Sequence, residues 1–71
     1  MKAYIFLDMA PGHQEEIEKA IPEGVKEFHK LSGEYDAVVE VEADPKKVRE
    51  IVDKIRKSGL VEKTVTFISW E

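Results

Sequence analysis

The stretch Ser32-Gly33-Glu34-Tyr35-Asp36-Ala37-Val38-Val39-Glu40-Val41-Glu42 constrains the fold of this chain more than any other. Gly33 can take a positive φ at no steric cost, so the backbone can turn sharply there. Beyond it, apolar and acidic residues nearly alternate. Ala37, Val39 and Val41 share one face of a predicted strand, and Val38, Glu40 and Glu42 share the other. Asp36 stands where the turn becomes a strand. A carboxylate and several free backbone N–H groups therefore meet at a sheet edge, a combination suited to holding a small zwitterion.

The rest of the chain falls into place around this hairpin. Lys2 to Asp8 reads as a strand that Pro11-Gly12 breaks. Residues 12–21 read as a helix with Ile17, Ala20 and Ile21 on one stripe, stopped by Pro22 with Gly24 just beyond. Val25 to Leu31 is a second strand, Ser32-Gly33-Glu34 a short turn, and Tyr35 to Glu42 a third strand. Asp44-Pro45 supplies an N-cap and a first helical residue. Val48, Ile51, Val52 and Ile55 follow at i, i+3, i+4 and i+7, a complete apolar stripe, and Gly59 is a suitable stop. Val61 to Trp70 is the fourth strand. The order β-α-β-β-α-β predicts an α+β, ferredoxin-like fold: a four-stranded antiparallel sheet with two helices on one face, in a single domain spanning 1–71.

A chain of 71 residues buries little core, and without cysteine neither disulfides nor a thiolate metal site can reinforce it. Association is the remaining source of stability. No signal-peptide pattern or membrane-length apolar run is visible, so the expected location is the cytoplasm. The net charge of −4 argues against a direct nucleic-acid binder. The basic clusters Lys46-Lys47-Arg49 and Lys54-Arg56-Lys57 lie on the second helix among acids, as on a solvated face. Charged residues make up 37% of the chain, and Gln14 is its one side-chain amide, a bias that fits a heat-adapted source.

Two helices on one face of the sheet leave the other face uncovered, and that face should then be polar. It is not: Ala3 to Leu7 are all apolar. On the last strand Val65 and Phe67 point one way, Ile68 and Trp70 the other. Two-sided apolar strands require cover on both faces. A second copy, sheet against sheet, is the simplest cover. The expected homodimer buries Tyr4 or its alternating neighbours, Phe67 or Ile68, and Trp70; the sequence leaves the parity open.

With that element order and hairpin, the chain resembles the C-terminal effector-binding domain (RAM domain) of the Lrp/AsnC transcriptional regulators. The resemblance rests on Leu31-Ser32-Gly33-Glu34-Tyr35-Asp36 with its valine-rich strand, on Gly59-Leu60-Val61-Glu62-Lys63-Thr64-Val65-Thr66-Phe67-Ile68, and on Pro11-Gly12-His13 before an acidic helix. It covers essentially the whole chain. Members of that family carry an N-terminal DNA-reading helix-turn-helix, and this chain begins at the first strand of the effector domain. The resemblance thus implies a stand-alone module, dimers made through the sheets in the manner of dimeric α+β barrels, octameric rings of dimers, and an amino-acid effector bound between subunits. Mixed oligomers with full-length relatives follow as a further implied partnership.

An amino acid presents an ammonium and a carboxylate. Asp36 suits the first, and the N–H groups of the Gly33 turn suit the second. Thr64 and Thr66, two apart on one strand face, add hydroxyl donors. Ser32, Glu34 and Tyr35 complete the candidate set. Against this stands the plainer reading that Asp36 caps its own turn, Tyr35 packs across the hairpin and the threonines are ordinary strand formers. His13 and His29 have no metal or catalytic spacing, and no phosphate loop or nucleophile–base signature occurs, so neither cofactor nor metal is expected. Trp70 reads better as an interface anchor than as a cofactor platform. Two other readings compete with the sensor. One is a small dimeric α+β barrel enzyme acting on an organic acid or aromatic, with His29, Asp8 and Tyr35 as acid–base candidates. The other is a pure oligomerisation module.

Overall fold

The computed structural model describes residues 1–70. Its elements follow the predicted order: β1 (Lys2–Met9), a 3₁₀ helix (Gln14–Ala20), β2 (Glu27–Lys30), β3 (Ala37–Glu42), α1 (Pro45–Lys57) and β4 (Val61–Ser69). The strands form one antiparallel sheet in the order β2-β3-β1-β4, the ferredoxin-like arrangement.

Burial alternates strictly along β1, with Ala3, Ile5, Leu7 and Met9 inside. Register carries this parity to the neighbours. Ala3, Ile5 and Leu7 pair with Val41, Val39 and Ala37 on one side and with Ile68, Thr66 and Thr64 on the other. The helices cover this face. Val48, Ile51 and Ile55 from α1 join Ile17 and Ala20 from the first helix over it, and Val52 packs half-buried at the margin.

The first helix differs from expectation in type and length: it is a 3₁₀ helix over Gln14–Ala20. At three residues per turn, Ile17 and Ala20 lie one above the other, and these are its two buried residues. Ile21 caps it in extended conformation instead of continuing the stripe. The strands are shorter than predicted in the hairpin, where β2 and β3 pair only between Glu27–Lys30 and Ala37–Glu40.

α1 begins as the sequence indicates. The Asp44 carboxylate accepts from Lys47 N–H at 2.8 Å, Pro45 occupies the first turn, and Lys54, Arg56 and Lys57 complement the dipole in the last turn. Gly59, at φ +76°, ends the helix in the left-handed conformation that other residues resist. Replacing Asp44 by alanine should destabilise the fold by about 0.5–2 kcal/mol. A urea midpoint equal to wild type would show that water replaces the cap without loss.

Candidate functional site

The loop between β2 and β3 is closed by main-chain bonds. Leu31 N–H donates to Asp36 O at 2.8 Å, and Asp36 N–H donates to Leu7 O at 2.9 Å. Asp36 thereby ties the hairpin to the end of β1. Its side chain extends the tie, since Oδ2 accepts from Met9 N–H at 2.8 Å. The plainer reading of Asp36 as a cap is right in kind, although the capped N–H belongs to β1 and not to its own turn. Gly33 sits at φ +137° with open space where a Cβ would stand, so strain and not crowding favours glycine there. Ser32, Gly33 and Glu34 are exposed, and among the described residues no hydrogen bond takes up the N–H groups of residues 32–35.

Tyr35 turns towards the face of the sheet that the helices leave open. Its ring lies 5.4 Å from that of Phe6, and Phe6 meets Phe67 edge-to-face at 5.8 Å. Tyr4 pairs with Phe67, and Phe6 with Val65 and Val38. The parity that the sequence left open is thus fixed. Tyr4, Phe6, Val38, Val65 and Phe67 form an apolar centre on the open face, and Ile68 packs against the helix-covered core. Trp70 lies beyond the end of β4 and is 84% exposed.

At the other end of this face, Lys26 Nζ donates to Glu42 at 2.9 Å and stands 3.9 Å from Glu40. The hydrogen bond, with the attraction behind it, raises the Lys26 pKa and lowers that of Glu42. The Glu42 contribution is present at neutral pH and is lost as pH falls through its lowered pKa. The Lys26 contribution is lost only as pH rises through its raised one. Both groups are solvent-exposed, so the pair adds little to stability.

Thr64 and Thr66 do not join the hairpin. They do share a face, as their spacing indicates, but it is the helix-covered one, opposite Leu7 and Ile5. There Thr64 Oγ1 accepts from Arg56 Nε and Nη2 at 3.2 and 3.0 Å. Two adjoining clefts run between α1 and β4. One, of about 400 Å³, is lined by Arg56, Val61, Glu62, Lys63 and Thr64. The other, of about 360 Å³, is lined by Pro45, Val48, Arg49, Val52, Asp53, Arg56 and Thr66. A bulge shapes the first: Asp8 pairs with Lys63 and Met9 with Val61, so Glu62 is the extra residue. The sequence reading missed Arg49 and Arg56, which it placed on a solvated face.

The residues of the enzyme reading are not organised into a unit. His29 and Asp8 lie on the open face on strands separated by β3, and Tyr35 is engaged with Phe6. No hydrogen bond joins any two of them among the described residues. His13 stands 3.1 Å from Glu16 at the start of the first helix. No metal-binding group of three or more His, Asp or Glu occurs among the described residues, and no helix is long and apolar enough to cross a membrane.

No protein-family model and no curated protein sequence matches the chain. Solved structures do. FFRP-DM1 is 38% identical, with a TM-score of 0.80, and the match covers 96% of each chain. The chain belongs to the FFRP, or Lrp/AsnC, family. Two larger regulators share the fold at lower identity. The transcriptional regulator NMB0573 of Neisseria meningitidis, solved as a complex with L-Met, is 16% identical with a TM-score of 0.82 over 99% of this chain. E. coli AsnC is 16% identical with a TM-score of 0.77 over 99% of this chain. This FFRP-type chain spans about half the length of these two regulators, 49% and 50%. The matched part is the effector-domain fold that the hairpin and last strand indicated.

Proposed function

We propose that this FFRP-family chain is a stand-alone, non-catalytic regulatory module that dimerises through its open sheet face and binds an amino acid at the Ser32–Asp36 hairpin, between subunits. Its DNA-related effect would be indirect, through mixed assembly with full-length Lrp/AsnC regulators. The observation that carries the reading is the Asp36 clasp. It fixes a carboxylate beside unclaimed N–H groups, the two complements that an ammonium and a carboxylate require. The L-Met complex of NMB0573, a regulator with the same fold, supports an amino acid as the ligand class. The exposed aromatic centre supports sheet-to-sheet association, which would set two hairpins close to a shared boundary.

Such a ligand regulates only if it prefers one assembly over another. Thermal-shift and light-scattering measurements across the twenty common amino acids provide the test. A selective rise in melting temperature with a change in particle mass is expected. Asp36→Asn is the informative variant because an amide oxygen can still accept from Met9 N–H while the charge that pairs an ammonium is gone. It should keep the wild-type fold and weaken binding by about tenfold or more. Equal binding by the variant would move the ammonium site away from Asp36.

A further inference from the structure

We propose that the groove between α1 and β4 is a second binding site, separate from the hairpin, for a small oxyanion carried on a short aliphatic group. Arg56 is its centre. Thr64 Oγ1 takes two of the five guanidinium N–H donors, which leaves three, and Arg56 lines both clefts. Because the hydroxyl accepts from Arg56, its own hydrogen points away from the guanidinium and remains available to a ligand.

The choice of partner is the telling point. Asp53 stands three residues before Arg56 on α1, where an ion pair is geometrically open, and Glu62 lines the adjoining cleft. Yet no carboxylate lies within ion-pair distance of Arg56 or Arg49 among the described residues. Arg56 is held in place by a neutral group, with its charge unmatched. Arg49 stands two helical turns earlier on the same stripe, about 10 Å along the axis, and Thr66 adds a second hydroxyl to the same cleft. Val52 lies between them on α1, and with Val48 and Pro45 it gives this cleft an apolar lining. An oxyanion seated on Arg56 would thus lay a short aliphatic portion along Val52. Carboxylates and phosphate esters share the required head chemistry, and guanidinium geometry matches both.

Amide chemical-shift titrations with sodium butyrate and, separately, with inorganic phosphate at constant ionic strength test the proposal on the intact protein. Saturable shifts are expected in residues 49–56 and 61–66. A tighter response to butyrate assigns a carboxylate, and a tighter response to phosphate assigns a phosphate ester. Arg56→Gln should weaken binding by about tenfold or more, whereas Lys46→Gln, the same charge change on α1 outside the groove, should change it less than about twofold. Thr64→Val, which keeps the charge and frees the guanidinium, should weaken it severalfold. No saturable shift with either probe, or equal loss in the Arg56 and Lys46 variants, overturns the site. A fall in particle mass for Arg56→Gln without any probe also overturns it, since the groove would then hold an acidic side chain of another copy. Asp36→Asn should leave this titration unchanged, which separates the fate of the groove from that of the hairpin.

Discussion

A Phe67→Asp variant is expected to be monomeric at micromolar concentration, where the proposed wild-type assembly is a dimer or larger. Phe67 is 57% exposed in the single chain, on edge strand β4 of an apolar face that also presents Tyr4, Phe6 and Val65. Because its side chain is largely outside the core, the monomer can accept aspartate at the cost of one edge-to-face contact with Phe6. The dimer cannot. Burying a phenylalanine stabilises by about 1.5–3 kcal/mol, and twofold symmetry counts each loss twice. The variant also places two unpaired carboxylates inside the sheet-to-sheet contact, an arrangement that costs still more. Together these should weaken association by at least about a hundredfold. Light scattering reads the outcome directly. A Phe67→Asp protein with wild-type mass, or a wild-type protein that is already monomeric, would leave the open face without its proposed partner.

How far the sequence revealed this arrangement depended on whether each feature was local. The α1 stripe was fully legible: of Val48, Ile51, Val52 and Ile55, all but half-buried Val52 are buried. A stripe at i, i+3, i+4 and i+7 admits one periodicity. In the first helix Ile17, Ala20 and Ile21 read as an α-helical stripe, but Ile21 leaves the helix in extended conformation, and the remaining pair, three apart, fits a period of 3.0 as well as 3.6. Along β1 the unbroken apolar run hid the parity. Cross-strand register decided it, by setting Phe6 opposite Val38 and Val65 and leaving Ile5 between Val39 and Thr66.

The candidate site divided along the same line. The hairpin residues are contiguous, and they stay together. Thr64 and Thr66 kept the shared face that their spacing dictates, but the face itself is set by pairing with β1, which no local pattern encodes. Asp36 finds Met9 across 27 residues, so the cap partner was out of reach. Arg56 was visible as part of a basic run, and its engagement with Thr64 depends on how α1 lies against β4. An arginine eight residues before a strand threonine, across a glycine turn, is the signal that could have found it.

Ile51→Ala should produce the largest loss of intrinsic stability. Ile51 is 1% exposed, packs within the core under α1, and extends its Cδ1 to within 3.8 Å of where a Cβ on Gly24 would stand. It therefore stands between the second helix and the loop that follows the first, and truncation would leave a void between them. Truncating a buried isoleucine to alanine costs about 2–5 kcal/mol. That is a large share of the roughly 5–15 kcal/mol typical of a folded domain. Denaturation in urea should show a much lower midpoint with an unchanged slope, and Val52→Ala, at the half-buried margin, should cost distinctly less. The two variants also separate the sources of stability. If association contributes as proposed, the wild-type melting temperature rises with protein concentration, and Phe67→Asp removes that dependence. Ile51→Ala should lower the melting temperature at every concentration while preserving its slope. An Ile51→Ala protein with wild-type stability at all concentrations would show that the sheet-to-sheet contact, and not the core beneath α1, holds the fold together.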